Sequence, residues 1–308
     1  MKKALSLILA LVMVFAMCAC GNTAAPAEET TVEEAAPAEE TAAVEEAAPA
    51  EEAAAEETAA DSGKLILGTS ADYAPFEFMY ADENGNMVYG GIDVSVAQYI
   101  ADEMGKELQV ENMSFDYLLT SLAKGDYDIV IAAMESTEER QNAADFSDPY
   151  YTDVPPMILV RKDDAENYKT LADFSGKSVG AQTGTTKLDI VNNQMEGATL
   201  VGLAVVTDLV NELVYGKVDA VVLDGAVALE YAKTNPDLVV ADASSELGEA
   251  APYCVAVAKG DPKGLLPAIN AAIAKMTEEN AVEQFIADAD ALVDAGEAEE
   301  VSAEAPKE

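Results

Sequence analysis

From Lys64 onward, short apolar runs of strand length alternate with longer segments whose apolar residues recur every three or four positions. KLILGT, ELQVENM and YDIVIAAM read as strands. FDYLLTSLAKG reads as a helix, and DVSVAQYIADEMG places Val94, Ala97, Ile100, Ala101 and Met104 on one helical face, with Asp93 as N-cap and Gly105 as stop. In a second series, PMILVRK, KSVGAQ, ATLVGLA and DAVVLD are strands, while TTKLDIVNNQM, TDLVNELVYGK and GAVALEYAK are helices. Alternation of this kind makes βαβ units and predicts an α/β fold with mostly parallel sheets.

The two series echo each other. Leu118, Leu122, Gly125 and Asp128 share the spacing of Leu209, Leu213, Gly216 and Asp219, each set a helix ended by glycine and followed by a buried strand. This predicts two similar lobes. In open α/β sheets ligands bind beyond the carboxyl ends of strands, which directs attention to AAMEST and to Asp224.

Half of the 308 residues are apolar, enough for a core of one large or two ordinary domains. No histidine occurs, which removes Ser-His-Asp and Cys-His catalysis, His-ligated zinc and imidazole proton transfer. A formal net charge of −41 would repel phosphate backbones and anionic headgroups. We therefore expect no nucleic-acid partner, no metal and no cofactor.

Lys2 and Lys3 precede an apolar run from Ala4 to Met17, the pattern of an export signal over 1–19. It closes on MCACGN, which resembles the bacterial lipobox and makes Cys20 the expected lipid anchor on the extracytoplasmic face of a bacterial cell membrane; ordinary signal cleavage is the alternative. Residues 20–62 are nearly all Ala, Glu, Pro and Thr, without Lys or Arg, and read as a disordered tether that reaches roughly 130 Å at most. The residues after Asp290 repeat this composition, so 291–308 are expected to be an acidic tail. Cys254, in apolar YCVAVA, reads as a small buried hydrophobe.

Arg140 is one of two arginines, the other being Arg161. It lies in STEER, where Ser136 or Thr137 can cap a helix, and its planar fork suits a carboxylate. A surface salt bridge to Glu138 or Glu139, contributing about 1 kcal/mol at most, is the competing reading. ADYAPFEF supplies Tyr73 as a ligand aromatic and Phe76 and Phe78 as core; Phe115 stands at a strand-to-helix junction, and AQTGTT is a glycine turn able to hold an anion.

The ordered motifs GTSADYAPFEF, GGIDVSVAQYIADEMG, FDYLLTSLAKGDYDIVIAAM, STEER, DFSDPYY, GAQTGTT and GKVDAVVLDG resemble the extracytoplasmic solute-binding proteins, family 3, that feed polar amino acids to ABC importers. The likeness runs from about Lys64 to Ile286. It implies a two-lobed, type II periplasmic-binding-protein-like fold, each lobe a mostly parallel sheet flanked by helices. Lobe one would hold 63–151 and 253–290 and lobe two 152–252, with crossovers near Thr152–Met157 and Gly248–Tyr253. The protein would act as a monomer, closing on a free amino acid and delivering it to an ABC transporter permease.

The same resemblance assigns the ligand α-carboxylate to Arg140 and the α-ammonium to Asp224 and the Ala133 carbonyl. Tyr73 and Phe115 would sandwich the ligand side chain, and Gln182, Thr185 and Thr186 would be lobe-two contacts. Two positions depart from the family pattern. Ser70 stands where several members place an aspartate, and Glu135 where a serine or threonine normally helps hold the carboxylate. Glu135 would turn away, pair with Arg140, or face a cationic ligand side chain, which favours arginine, lysine or ornithine. Two other functions stay open: a dehydratase of the same fold with Glu135 as general acid, and a sensory or adhesive lipoprotein.

Overall fold

A computed structural model describes residues 63–295 of the chain. The signal segment, Cys20, the tether and the end of the acidic tail lie outside them.

Lobe one begins with β1 (Lys64–Thr69), the short strands β2 (Asp72–Tyr73), β3 (Glu77–Ala81) and β4 (Met87–Gly90), and helix α1 (Ile92–Glu103). It continues with β5 (Glu107–Asn112), α2 (Leu118–Lys124), β6 (Ile129–Val130), α3 (Glu138–Ala143) and β7 (Ala144–Thr152). Lobe two comprises β8 (Met157–Arg161), β9 (Ser178–Gln182), α4 (Thr186–Gln194), β10 (Thr199–Leu203), α5 (Val206–Val214), β11 (Ala220–Leu223), α6 (Gly225–Thr234) and β12 (Leu238–Val240). The chain then returns through β13 (Pro252–Ala258) to α7 (Leu266–Glu278) and α8 (Ala281–Asp294).

The main sheets have one pattern, β5-β1-β6-β13-β7 and β10-β9-β11-β8-β12. In each, four strands run one way and the fourth in spatial order, β13 or β8, runs against them. That odd strand is the one that enters the lobe directly from a crossover. The sequence echo has a structural cause: Leu118, Leu122, Leu209 and Leu213 are all buried, and Gly125 and Gly216 both take positive φ as their helices end. Asp128 accepts the Ile66 N–H at 2.7 Å and Asp219 the Ser178 N–H at 2.9 Å, so each aspartate pins the central parallel strand of its own lobe.

Helix α1 departs from expectation in an informative way. Its cap position is Gly91, and the N–H groups of Ile92 and Asp93 are taken by the Pro75 and Phe76 carbonyls. Asp93 is therefore not the cap. Its carboxylate turns inward to accept the Ala133 N–H at 2.6 Å and the Tyr150 hydroxyl at 2.7 Å. The buried face uses Ile92, Val96, Ala97, Ile100 and Ala101, while Val94 and Met104 are half-buried. Strand pairing in YDIVIAAM is confined to Ile129 and Val130, because the chain turns at Ala133, whose φ is +44°.

A second correction concerns the C-terminus. Helix α8 runs past Asp290 to Asp294, since Ala289 and Val293 are buried and Phe285 packs beside Tyr99 of α1, ring centroids 6.2 Å apart. The expected loose tail begins at least four residues too early.

The crossovers lie side by side. Asp153 accepts the Ala226 N–H of α6 at 3.1 Å and the Tyr253 hydroxyl of the returning segment at 3.4 Å. Gly91 ties the helix start to the β2–β3 turn: its φ is +113°, and an added Cβ would stand 2.2 Å from the Phe76 carbonyl oxygen. Gly91→Ala is expected to lower the unfolding free energy by roughly 2–4 kcal/mol in urea titration. A loss below about 0.5 kcal/mol would mean that this approach does not constrain the fold.

Candidate functional site

The carboxyl ends of the parallel strands face one another across the lobes, and each lobe supplies part of a small cavity. Ser70 and Tyr73 follow β1, Phe115 follows β5, Ala133 and Glu135 follow β6, Gln182 ends β9, Thr185 and Lys187 open α4, and Asp224 follows β11. The cavity measures about 10 Å³, room for a single water. Tyr73, Phe115, Ala133, Glu135, Gln182, Thr185 and Asp224 thus converge, whereas Arg140 and Thr186 line a separate, open cavity of about 740 Å³ that Phe115 and Thr185 also border.

Arg140 is positioned by the first turn of α3, where Thr137 caps the helix by accepting the Arg140 N–H at 3.2 Å. Glu138 and Glu139 at that helix start take no ion pair with it. Its guanidinium instead turns inward, donating to the Glu135 carboxylate at 2.8 Å, the Glu135 carbonyl at 2.9 Å and the Gly184 carbonyl of lobe two at 3.2 Å. It also lies 5.2 Å from the centroid of Phe115. Arg161 instead holds the turn from α5 to β11, donating to the Leu213 and Val218 carbonyls.

Glu135 pairs with Arg140, one of the expected alternatives, and also with a partner the sequence did not single out. The buried Lys187 ammonium donates to Glu135 Oε1 at 2.9 Å and to the Thr186 hydroxyl at 3.3 Å, and it contacts Asp224 Oδ1. Thr186 donates to the same Glu135 oxygen at 2.9 Å. Tyr73 donates to Asp224 Oδ2 at 2.7 Å and accepts the Asp224 N–H at 3.2 Å. Guanidinium, carboxylate, ammonium and carboxylate therefore alternate across the cleft, two from each lobe. Thr185 and Gln182 face inward, but Thr185 donates to the Gln182 carbonyl and Gln182 to the Ala204 carbonyl.

These pairings set the electrostatics. Burial alone would raise the Glu135 carboxyl, but the Lys187 ammonium and Arg140 guanidinium hold it down at about 2. Burial works against the Lys187 ammonium, and Asp224 and Glu135 overcome it to raise that group. Lys187 sits in the first turn of α4, the wrong end of a helix dipole for a cation. That anomaly is the one local signal by which sequence reasoning could have found it, and it was missed.

A second acidic layer has no basic partner. Glu77, between the core residues Phe76 and Phe78, is 1% exposed and lines the cavity. Burial pushes its carboxyl well above the usual range, and the neighbouring Asp93, Asp72 and Asp224 carboxylates act in the same direction. It shares a hydrogen bond with Asp93, yet its Oε2 has no hydrogen-bond partner. Asp72 reaches into lobe two, accepting the Val206 N–H at the start of α5 at 2.9 Å. Burial raises Asp72 and Asp93 to about 6, against the hydrogen bonds that stabilise their charged forms.

Between an unfolded value near 3.9 and the native value of about 6, the native protein holds more protons at Asp72 and Asp93 than the unfolded chain does. Stability from these groups is lost as pH rises through that window. Glu135 has the opposite sign, its contribution vanishing as pH falls from about 4 through 2. Urea unfolding should show stability rising by roughly 2–4 kcal/mol from about pH 7 to pH 5 and falling below about pH 4. Asp72→Asn should remove part of that rise; an unchanged profile would contradict the assignment.

Comparison with known proteins agrees with this architecture. Residues 65–288 match the family described as bacterial extracellular solute-binding proteins, family 3. The arginine-binding extracellular protein ArtP of Bacillus subtilis is 33% identical over 254 residues, covering 80% of this chain and 83% of ArtP. The L-cystine-binding protein TcyJ of Escherichia coli K12 is 30% identical, covering 72% of this chain and 81% of TcyJ. A crystal structure of an amino acid ABC transporter substrate-binding protein from Streptococcus pneumoniae, bound to L-arginine, superposes with a TM-score of 0.69 at 39% identity, covering 74% of this chain and 93% of that one. No helix among the described residues is long and apolar enough to cross a membrane. With the two-lobed, type II periplasmic-binding-protein-like fold and the match across both lobes, the chain belongs to the bacterial extracellular solute-binding proteins, family 3.

Proposed function

We propose that this protein captures a free amino acid with a cationic side chain, arginine foremost, between its closing lobes and delivers it to an ABC importer. The observation that carries the side-chain choice is Glu77, a buried carboxyl with an unpartnered oxygen in the cavity wall. Glu135 and Asp224 already face basic groups of the chain itself, whereas Glu77 faces other acids. A guanidinium or ammonium brought to it would supply the missing charge and hydrogen bonds. Arg140 and Asp224, opposite charges on opposite lobes, are the poles for the α-carboxylate and the α-ammonium; Tyr73 and Phe115 are the aromatic walls. The relatives named for arginine support this reading.

Delivery implies a membrane permease as partner and attachment through a lipid on Cys20, with residues 21–62 as the spacer and the folded body acting as a monomer. The protein is a binder and not an enzyme on this reading. A dehydratase acid at Glu135 would need a proton near neutral pH, and Lys187 and Arg140 hold that group ionised down to about 2.

The test is a thermal-shift and calorimetric screen over the twenty amino acids, ornithine and citrulline, the neutral counterpart of arginine. Arginine, lysine and ornithine should stabilise the protein, and Arg140→Ala or Asp224→Ala should abolish the response. Glu77→Gln should weaken arginine by about 2 kcal/mol, roughly thirtyfold in Kd, and leave citrulline within about threefold. No response to any amino acid would overturn the proposal.

A further inference from the structure

Glu135 and Lys187 belong to the chain, yet they stand on the two groups assigned to the ends of a ligand. The Glu135 carboxylate lies on the Arg140 guanidinium at 2.8 Å, and the Lys187 ammonium lies on Asp224 while closing back onto Glu135 at 2.9 Å. The side chains of all four are at most 10% exposed. An α-amino acid in the same clamp brings its carboxylate onto Arg140 beside Glu135 and its ammonium to where Lys187 stands. Two ammonium groups do not share such a site without a large desolvated repulsion, and the cavity that Glu135, Lys187 and Asp224 border measures only about 10 Å³.

Lys187 must therefore leave. Glu135 is fixed by its backbone: it bridges to Tyr253 of the returning strand, and its carbonyl accepts from Arg140 at 2.9 Å. Its carboxylate is fastened by Arg140 and Thr186 as well, whereas the Lys187 ammonium sits at the end of a flexible four-carbon stem that can swing away from its partners. Moving it removes one positive charge from a set of four that sums to zero. A neutral zwitterion cannot replace that charge; an amino acid with a cationic side chain brings a net charge of the right sign.

We propose that Glu135 and Lys187 are the specificity-determining pair of this cleft: an amino acid binds only by displacing Lys187 from Asp224, and the pair thereby selects ligands of net positive charge. The inference rests on the amino-acid reading above, and on Arg140 and Asp224 as its poles. It makes Lys187 a competitor of the ligand rather than a contact for it.

The test is calorimetric titration with L-arginine and L-glutamine of the wild type, of Glu135→Thr/Lys187→Ala, and of the nearly isosteric Glu135→Gln/Lys187→Met. The second variant decides if the first does not fold. Both ligands should bind the double variants about tenfold tighter or more, with glutamine gaining more than arginine, so that the preference for arginine narrows. Binding by the variants where the wild type is silent has the same meaning. If the wild type binds and the variants bind equally or more weakly, the inference fails and the amino-acid reading stands. If no protein in the set binds any amino acid of the wider panel, both fail together.

Discussion

The closed cleft depends on one row of alternating charges: Arg140, Glu135, Lys187 and Asp224, ended by the Tyr73 hydroxyl. Each of these ions would be costly to bury alone, and truncating one partner of such a set strands the next, at roughly 3–5 kcal/mol. Order in the row is therefore enforced. It also runs between lobes, since Arg140, Glu135 and Tyr73 come from lobe one, and Lys187 and Asp224 from lobe two. In a chain with a net charge of −41, the cleft holds basic and acidic groups matched in burial, with side chains at most 10% exposed. Much of the acidic excess lies in the low-complexity segments of the sequence, and part of it is buried behind the row.

Behind the row stands the acidic layer of Glu77, Asp93 and Asp72, which couples the cleft to the fold. Asp93 holds Ala133 at a positive φ and so sets how β6 delivers Glu135. Asp72 bridges to the start of α5 in the other lobe. These groups tolerate burial because protons and backbone N–H groups satisfy them in place of basic side chains, and a cationic ligand would change that balance at Glu77 first. Recognition, lobe closure and protonation are in this sense one arrangement.

Much of this was legible in the sequence. The strand-helix alternation marked the two lobes, and the spacing of Asp128 and Asp219 marked a repeat that the structure explains through the strands each pins. Arg140 and Asp224 stood out because the ends of strands are where such folds hold ligands. Glu77 did not, because it sits between two core phenylalanines in a hairpin where strand periodicity points to packing. Asp93 was misread because an aspartate before an apolar run looks like a cap, and the caps were carbonyls brought from Pro75 and Phe76 by tertiary folding. Lys187 was missed because its one local signal, a cation at a helix start, names no partner. Its meaning depends on Glu135, fifty-two residues away, and on Asp224, and only the fold places the three together.

The most direct test of the account is a crystal structure of the protein grown with L-arginine. The account predicts the α-carboxylate on Arg140, the α-ammonium on Asp224, the guanidinium at Glu77, and the Lys187 side chain withdrawn from Asp224. Arginine seated in the cleft with Lys187 still on Asp224 would contradict it.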